Sequence, residues 1–169
     1  MKITLEEQNR LENIYQSFLN DEKILRMKDI SMHRGSNCYI HCFKVAKKAV
    51  KKSLRKKDIN LEVVMVGAIL HDYYLYDWRK DRSKLKKHGK NHPDVAINNA
   101  IKDFDVSDDV KKVIKTHMWP INIKYYPNTK EARVVSLSDK AVTIKESLTT
   151  KRYKQKKREK YLSYISHLF

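Results

Sequence analysis

The chain has 169 residues, with 37 Lys and Arg against 20 Asp and Glu, a formal net charge of +17. Only three Gly and three Pro occur, so turns and long loops are scarce and the composition points to an all-α protein, read as one domain over 1–169. No run of about 18 apolar residues marks a membrane span, and "MKITLEEQNRLENIY" lacks a signal peptide's apolar stretch, so a cytoplasmic protein without a membrane partner is expected.

Thr4 to Glu7, "TLEE", reads as a capping box, and Leu5, Leu11, Ile14, Tyr15 and Phe18 follow at helical spacing to about Asn20. A second short helix is expected over Asp21 to Lys28, and Gly35 in "SMHRGSN" breaks the pattern. A third helix covers Asn37 to Lys56 with Tyr39, Cys42, Phe43, Ala46 and Val50 inward. Cys38 and Cys42 share one of its faces at i, i+4, which reads as two reduced core thiols rather than a disulfide framework. Asn60 caps a fourth helix, Leu61 to Tyr74, apolar nearly all round and therefore central. A polar loop is expected over Asp77 to Asn91, with Pro93 in the first turn of a fifth helix that runs to about Lys102. Ser107 caps a sixth helix, Asp108 and Asp109 suit its positive end, and it stops near His117 because Trp119 precedes Pro120. "INIKYYP" reads as irregular. "NTKE", Asn128 to Glu131, resembles a second capping box, opening a seventh helix from Lys130 to about Leu148. The tail, 149–169, reads as a last, basic helix: seven of the ten residues from Lys151 to Lys160 are Lys or Arg.

The chemistry lies where the fourth helix ends. In "GAILHDYYLYDW" the apolar run Val63 to Leu70 stops at His71 and Asp72. Imidazole nitrogens and carboxylate oxygens hold first-row divalent metals well. Four more such residues occupy comparable places: His41 on the third helix, His92 at the start of the fifth, His117 at the end of the sixth and Asp139 in the seventh. Taken singly, each histidine reads as an ordinary core or surface residue. Asp139 is flanked by Val134, Val135, Leu137 and Val142, and a buried carboxylate is costly without a partner. A helical bundle can gather residues from separate helices into its interior. The ordered set His, His-Asp, His, His, Asp carries the inference.

With His41 in "CYIHCFKVA", His71-Asp72 in "GAILHDYYLYDW", His92 in "HGKNHPDVA", His117 in "VIKTHMWP" and Asp139 in "VVSLSDKAV", the sequence resembles the HD-domain metal-dependent phosphohydrolases. The resemblance spans about residues 33 to 148. It implies an all-α bundle of about seven to eight helices. His41, His71, Asp72 and Asp139 would correspond to the family's one-metal set. His92 and His117 look like the additional pair of its two-metal branch, which includes nucleotide and dinucleoside-polyphosphate hydrolases. One-metal nucleotidases often carry a Glu three residues beyond His-Asp; here that position is Leu75, which favours the two-metal reading. The resemblance then implies one ion on His41, His71 and Asp139, a second on His92 and His117, and Asp72 as the bridge. Two such ions would share a hydroxide that attacks phosphorus. Fe or Mn is expected, while Zn, Co and Ni also suit the donors.

On the substrate side, His33, Arg34, Lys90 and Lys140 are the cations expected to meet phosphate. His88 is the first choice for a catalytic acid role or for a place behind the metal ligands, because Gly89 would let the chain turn closely beside it. Trp78, Trp119 and Tyr74 are available to stack on a base. The expected partner is a small anionic, nucleotide-like substrate. Two alternatives stand beside this reading. One is a nucleic-acid binder that uses the basic tail with Tyr153 and Tyr161. The other is a diiron oxygenase on the same architecture. The oligomeric state is open.

Overall fold

The computed structural model describes residues 3–32, 36–78 and 82–148. Among them the chain is helical: α1 Leu5–Asn20, α2 Glu22–Leu25, a 3₁₀ turn Arg26–Asp29, α3 Cys38–Ser53, α4 Leu61–Leu70, α5 Arg82–Asp103, α6 Asp108–Thr116 and α7 Lys130–Leu148. An isolated bridge, Ser31 to Asn37, is the extended pairing found among the described residues. The basic segment 149–169 lies outside them, as do His33 and Arg34. No helix among the described residues is long and apolar enough to cross a membrane.

The helix starts follow side-chain chemistry. Thr4 Oγ1 accepts from the Glu7 amide at 3.1 Å while Glu7 Oε2 accepts from the Thr4 amide at 2.8 Å, completing the expected box. Asn37 Oδ1 accepts from the Ile40 amide at 2.9 Å to open α3. Asn60 Oδ1 accepts from the Glu62 and Val63 amides, both at 3.1 Å, to open α4. Each such cap is worth about 1 kcal/mol.

The apolar helix α4 sits in the middle, packed against α1, α3, α6 and α7, while α5 packs on α6. Val64, Ala68, Ile69 and Leu70 are fully buried. Burying a side chain such as Ile69 or Leu70 is worth roughly 1.5–3 kcal/mol, which outweighs the poor helix propensity of the valines around them. Cys38 and Cys42 are buried free thiols in the same core.

Several expected details change, while α7 keeps its expected bounds, Lys130–Leu148. α4 stops at Leu70, not Tyr74. The Tyr73 amide donates to the Leu70 carbonyl at 3.1 Å, and Leu75 takes a φ of 54°. Carbonyls past the helix end find tertiary donors: the Cys38 thiol donates to Asp72 O at 3.2 Å and the Asn99 amide to Tyr73 O at 3.0 Å. The expected loop Asp77 to Asn91 is largely helix, because α5 begins at Arg82 and keeps Pro93 in its interior rather than its first turn. Gly89 is therefore helical and makes no turn beside His88; it is the residue whose carbonyl loses its helical donor to Pro93. The Asn128–Glu131 box is replaced by Thr129, whose Oγ1 accepts from the Ala132 amide at 3.1 Å. Glu131 reaches instead to the Asn60 amide at 2.9 Å, tying the starts of α4 and α7 together. The second short helix tightens into the 3₁₀ turn after Leu25.

Gly67 sets the spacing of α4 and α6. A Cβ built there would lie 2.6 Å from Val113 Cγ1 and 2.9 Å from Val113 Cβ, closer than atoms pack. His71 follows Gly67 by four residues and His117 follows Val113 by four, so this contact brings the next helical turns, and their imidazoles, together. Gly67→Ala should therefore destabilise the protein by about 1–3 kcal/mol through overpacking, despite alanine's better helix propensity. The Gly67→Ala/Val113→Ala pair should recover part of that loss, giving a non-additive double-mutant cycle in urea melts.

Candidate metal centre

His71 and Asp72 leave the end of α4, His41 comes from the first turns of α3, His92 from α5, His117 from the end of α6 and Asp139 from α7. All six side chains meet in the core, each buried at 8% exposure or less. The two oxygens of Asp72 face different ways. Oδ2 lies 3.5 Å from His71 Nε2 and 4.0 Å from His41 Nε2. Asp139 Oδ1 joins that group, 3.1 Å from His41 Nε2 and 3.8 Å from His71 Nε2. Asp72 Oδ1 lies 3.2 Å from His92 Nε2 and 3.5 Å from His117 Nε2. The residues thus form two nests of donor atoms, joined by one carboxylate.

The histidine tautomers follow from their other nitrogens. His71 Nδ1 is 2.8 Å from the Ala68 carbonyl, His92 Nδ1 is 2.8 Å from the His88 carbonyl and His117 Nδ1 is 2.7 Å from the Ile114 carbonyl. A carbonyl only accepts, so these three Nδ1 atoms carry protons and each Nε2 presents a lone pair to the centre. His41 Nδ1 is held by a carboxylate, Glu146 Oε2, at 2.9 Å. His71 Nε2 is buried without a hydrogen-bond partner. His92 Nε2 and His117 Nε2 face each other at 2.9 Å, an arrangement of two acceptors that a cation between them would relieve. Orphaned and opposed lone pairs, four imidazoles and two carboxylates are a donor set that fits first-row divalent ions.

Electrostatics agree with the geometry. Burial works against ionised Asp72 and Asp139, but the surrounding imidazoles outweigh it and hold both carboxyls well below the usual range. Burial also disfavours charge on His41, yet hydrogen bonds to Asp139 and Glu146 raise its pKa well above 6.5. His117 is lowered by burial. Cys38 and Cys42 lie within ligand distance of Asp72. Burial, with the neighbouring Cys38, pushes the Cys42 thiol well up.

A family model described as "HD domain" matches residues 38–143. The chain belongs to the HD-domain family. A comparison with curated proteins and with solved structures finds no match. Members of the HD-domain family are typically metal-dependent hydrolases, and the buried His/Asp cluster of this chain is a donor set that could hold a divalent metal.

A cleft of about 330 Å³ opens onto this HD-domain centre, lined by His41, Asp72, His92, His117 and Asp139 on its floor. His88 stands on its wall, stacked between Trp78 at 4.9 Å and His92 at 4.6 Å, with Tyr76 Oη 2.9 Å from its Nδ1. Tyr74 also lines the cleft, whereas Trp119 is not among the lining residues and packs edge-on against Tyr126. Lys140 lines it too, but its ammonium donates to His117 O at 2.7 Å, Ser136 Oγ at 2.9 Å and Ser136 O at 3.3 Å. Three acceptors use all three of its N–H groups, so Lys140 ties the end of α6 to α7. Lys90 is exposed at the surface of α5.

Sequence reading missed Glu146. It is 6% exposed, seven residues after Asp139 on α7, and its Oε1 accepts from Lys44 Nζ at 2.7 Å. The i+7 spacing from Asp139 along an amphipathic helix was the available signal.

These shifts fix a pH dependence for the metal-free protein. Because the folded His41 pKa is raised, its stabilising contribution is complete below 6.5 and disappears as pH rises through the elevated value. The depressed Asp72 and Asp139 contribute above about pH 4 and lose that contribution as pH falls through their folded values. Thermal melts of chelator-treated wild type and His41→Asn should therefore differ most between about pH 5 and 6, and converge as the solution turns alkaline. A difference that grows with rising pH would contradict the assignment.

Proposed function

We propose that this protein hydrolyses a phosphate ester or anhydride in a small nucleotide-like substrate, using two divalent ions, with Fe or Mn favoured. The single observation that carries the reading is Asp72, whose two oxygens serve separate groups of donors. His41, His71 and Asp139 would hold one ion, His92 and His117 the other, and Asp72 would bridge. When bound, such a pair supplies Lewis acidity toward phosphoryl oxygens and a water-derived nucleophile at neutral pH.

The chain's own residues do the rest. Loading needs each Nε2 free of a proton, so His41 and His71, both raised by neighbouring carboxylates against the effect of burial, must give theirs up. Trp78 offers a flat apolar wall suited to a base, with Tyr74 buried behind the cleft against Tyr76, His88 and His92. Hydrolysis forms one O–P bond and breaks another, and the departing oxygen needs a proton. His88 is fixed by Trp78, His92 and Tyr76 beside the donor atoms, which supports it as the group that delivers that proton.

Metal analysis of anaerobically purified protein, paired with phosphate release from a nucleotide panel, tests the proposal. Wild type should hold two ions and release phosphate. His117→Ala should hold about one and lose roughly two or more orders of magnitude in turnover. Wild type saturating at one ion, with active His117→Ala, would favour a one-metal nucleotidase. Oxygen uptake on an organic substrate without phosphate release would favour the oxygenase reading.

His88→Ala gives an independent check on the proton donor. The His88 carbonyl that orients His92 belongs to the backbone and survives the substitution, so metal content should stay at the wild-type level. Turnover should fall by about 10²–10⁴-fold, and by less on substrates whose leaving group needs no proton. Equal losses on both substrate kinds would remove His88 from that role.

A further inference from the structure

His41 differs from the other three histidines of the centre in what holds its Nδ1. His71, His92 and His117 each donate to a neutral backbone carbonyl, but His41 donates to a carboxylate. The carboxylate of Glu146 divides its two oxygens between two jobs. Oε1 accepts from Lys44 Nζ at 2.7 Å and from Ser36 Oγ at 3.3 Å. Oε2 is left for His41 Nδ1 at 2.9 Å. Lys44 and Ser36 thereby fix the carboxylate plane, and that plane fixes the ring. At its opposite end, His41 Nε2 faces Asp139 Oδ1 at 3.1 Å. Glu146 and Ser36 both lie outside the residues matched by the HD-domain model, 38–143.

We infer that Glu146 is a positioning residue that makes the two metal positions unequal: through His41 it strengthens one of them, so the nest of His41, His71 and Asp139 fills before the nest of His92 and His117. This deepens the two-ion reading above and rests on it. The physical reason is electron donation. An anionic acceptor on Nδ1–H makes Nε2 a better donor than a carbonyl does, and partners of this kind change metal affinity by about 10–100-fold. The competing explanation is a plain ion pair, Glu146 with Lys44, that fastens α7 to α3 and leaves the metals alone.

Titration of the full-length metal-free protein with Mn(II) alone, followed by calorimetry, separates the two. Wild type should show two unequal steps. Glu146→Ala should weaken the tighter step by about 10–100-fold and leave the weaker one near its wild-type affinity, drawing the two together. Glu146→Gln keeps an acceptor for Nδ1–H without the charge, and should lose about tenfold. In parallel, the downfield imidazole Nδ1–H resonance of His41 should vanish in Glu146→Ala and remain, shifted, in Glu146→Gln. Should Glu146→Ala fail to fold, Glu146→Gln carries the test by itself. A lower melting temperature with unchanged Mn(II) steps in Glu146→Gln would overturn the inference and leave Glu146 as a helix fastener. Two equal steps in wild type would overturn it too, while leaving the two-ion function standing. No Mn(II) uptake by wild type would end both.

Discussion

Four imidazoles and two carboxylates are drawn out of water at one point, where the most apolar helix of the protein stops. Desolvated charges and orphaned lone pairs are expensive unless they satisfy one another. Here they do so only in part: His71 Nε2 makes no hydrogen bond, though Asp72 and Asp139 stand near it, and His92 and His117 turn acceptors toward each other. The arrangement is tolerable because apolar packing around α4 holds it in place, and it becomes favourable once cations occupy the lone pairs. The fold and the centre are therefore one problem. α4 must be buried to deliver His71 and Asp72 into the core, and it must end at Leu70 so that their side chains leave the helix there.

Much of this was legible in the sequence, for reasons that can be named. His71 and Asp72 stand where the one strongly apolar helix ends, and Asp139 stands among valines, places where a lone charge needs a partner. The caps at Thr4, Asn60 and Ser107 were readable because each is a local bargain between one side chain and amides two or three residues on. What escaped was tertiary. The end of α4 depends on the Cys38 thiol and the Asn99 amide, which come from other helices. The early start of α5 overrides a proline that local rules would place at a first turn. Glu131 pairs with Asn60 across the fold instead of capping its own helix.

The substrate side was least legible, and lysine shows why. A lysine near a ligand motif suggests phosphate, but its use is decided by whichever acceptors lie within reach of a long stem. For Lys140 those acceptors are the His117 carbonyl and Ser136. The cation braces the helix end that carries a metal-facing imidazole. Glu146 was missed for the opposite reason: a charged residue late in a helix reads as solvated until its neighbours are known.

Three of the four imidazoles take their direction from a carbonyl three or four residues earlier on their own chain. Ring orientation is thus inherited from the main chain and is indifferent to which side chains stand at Ala68, His88 and Ile114. Such a centre would keep its ring directions through substitutions at those positions, whatever else their side chains do, while remaining intolerant of a single inserted or deleted residue in the preceding turn. Over evolutionary time, variation around it should be written in substitutions and almost never in changes of length.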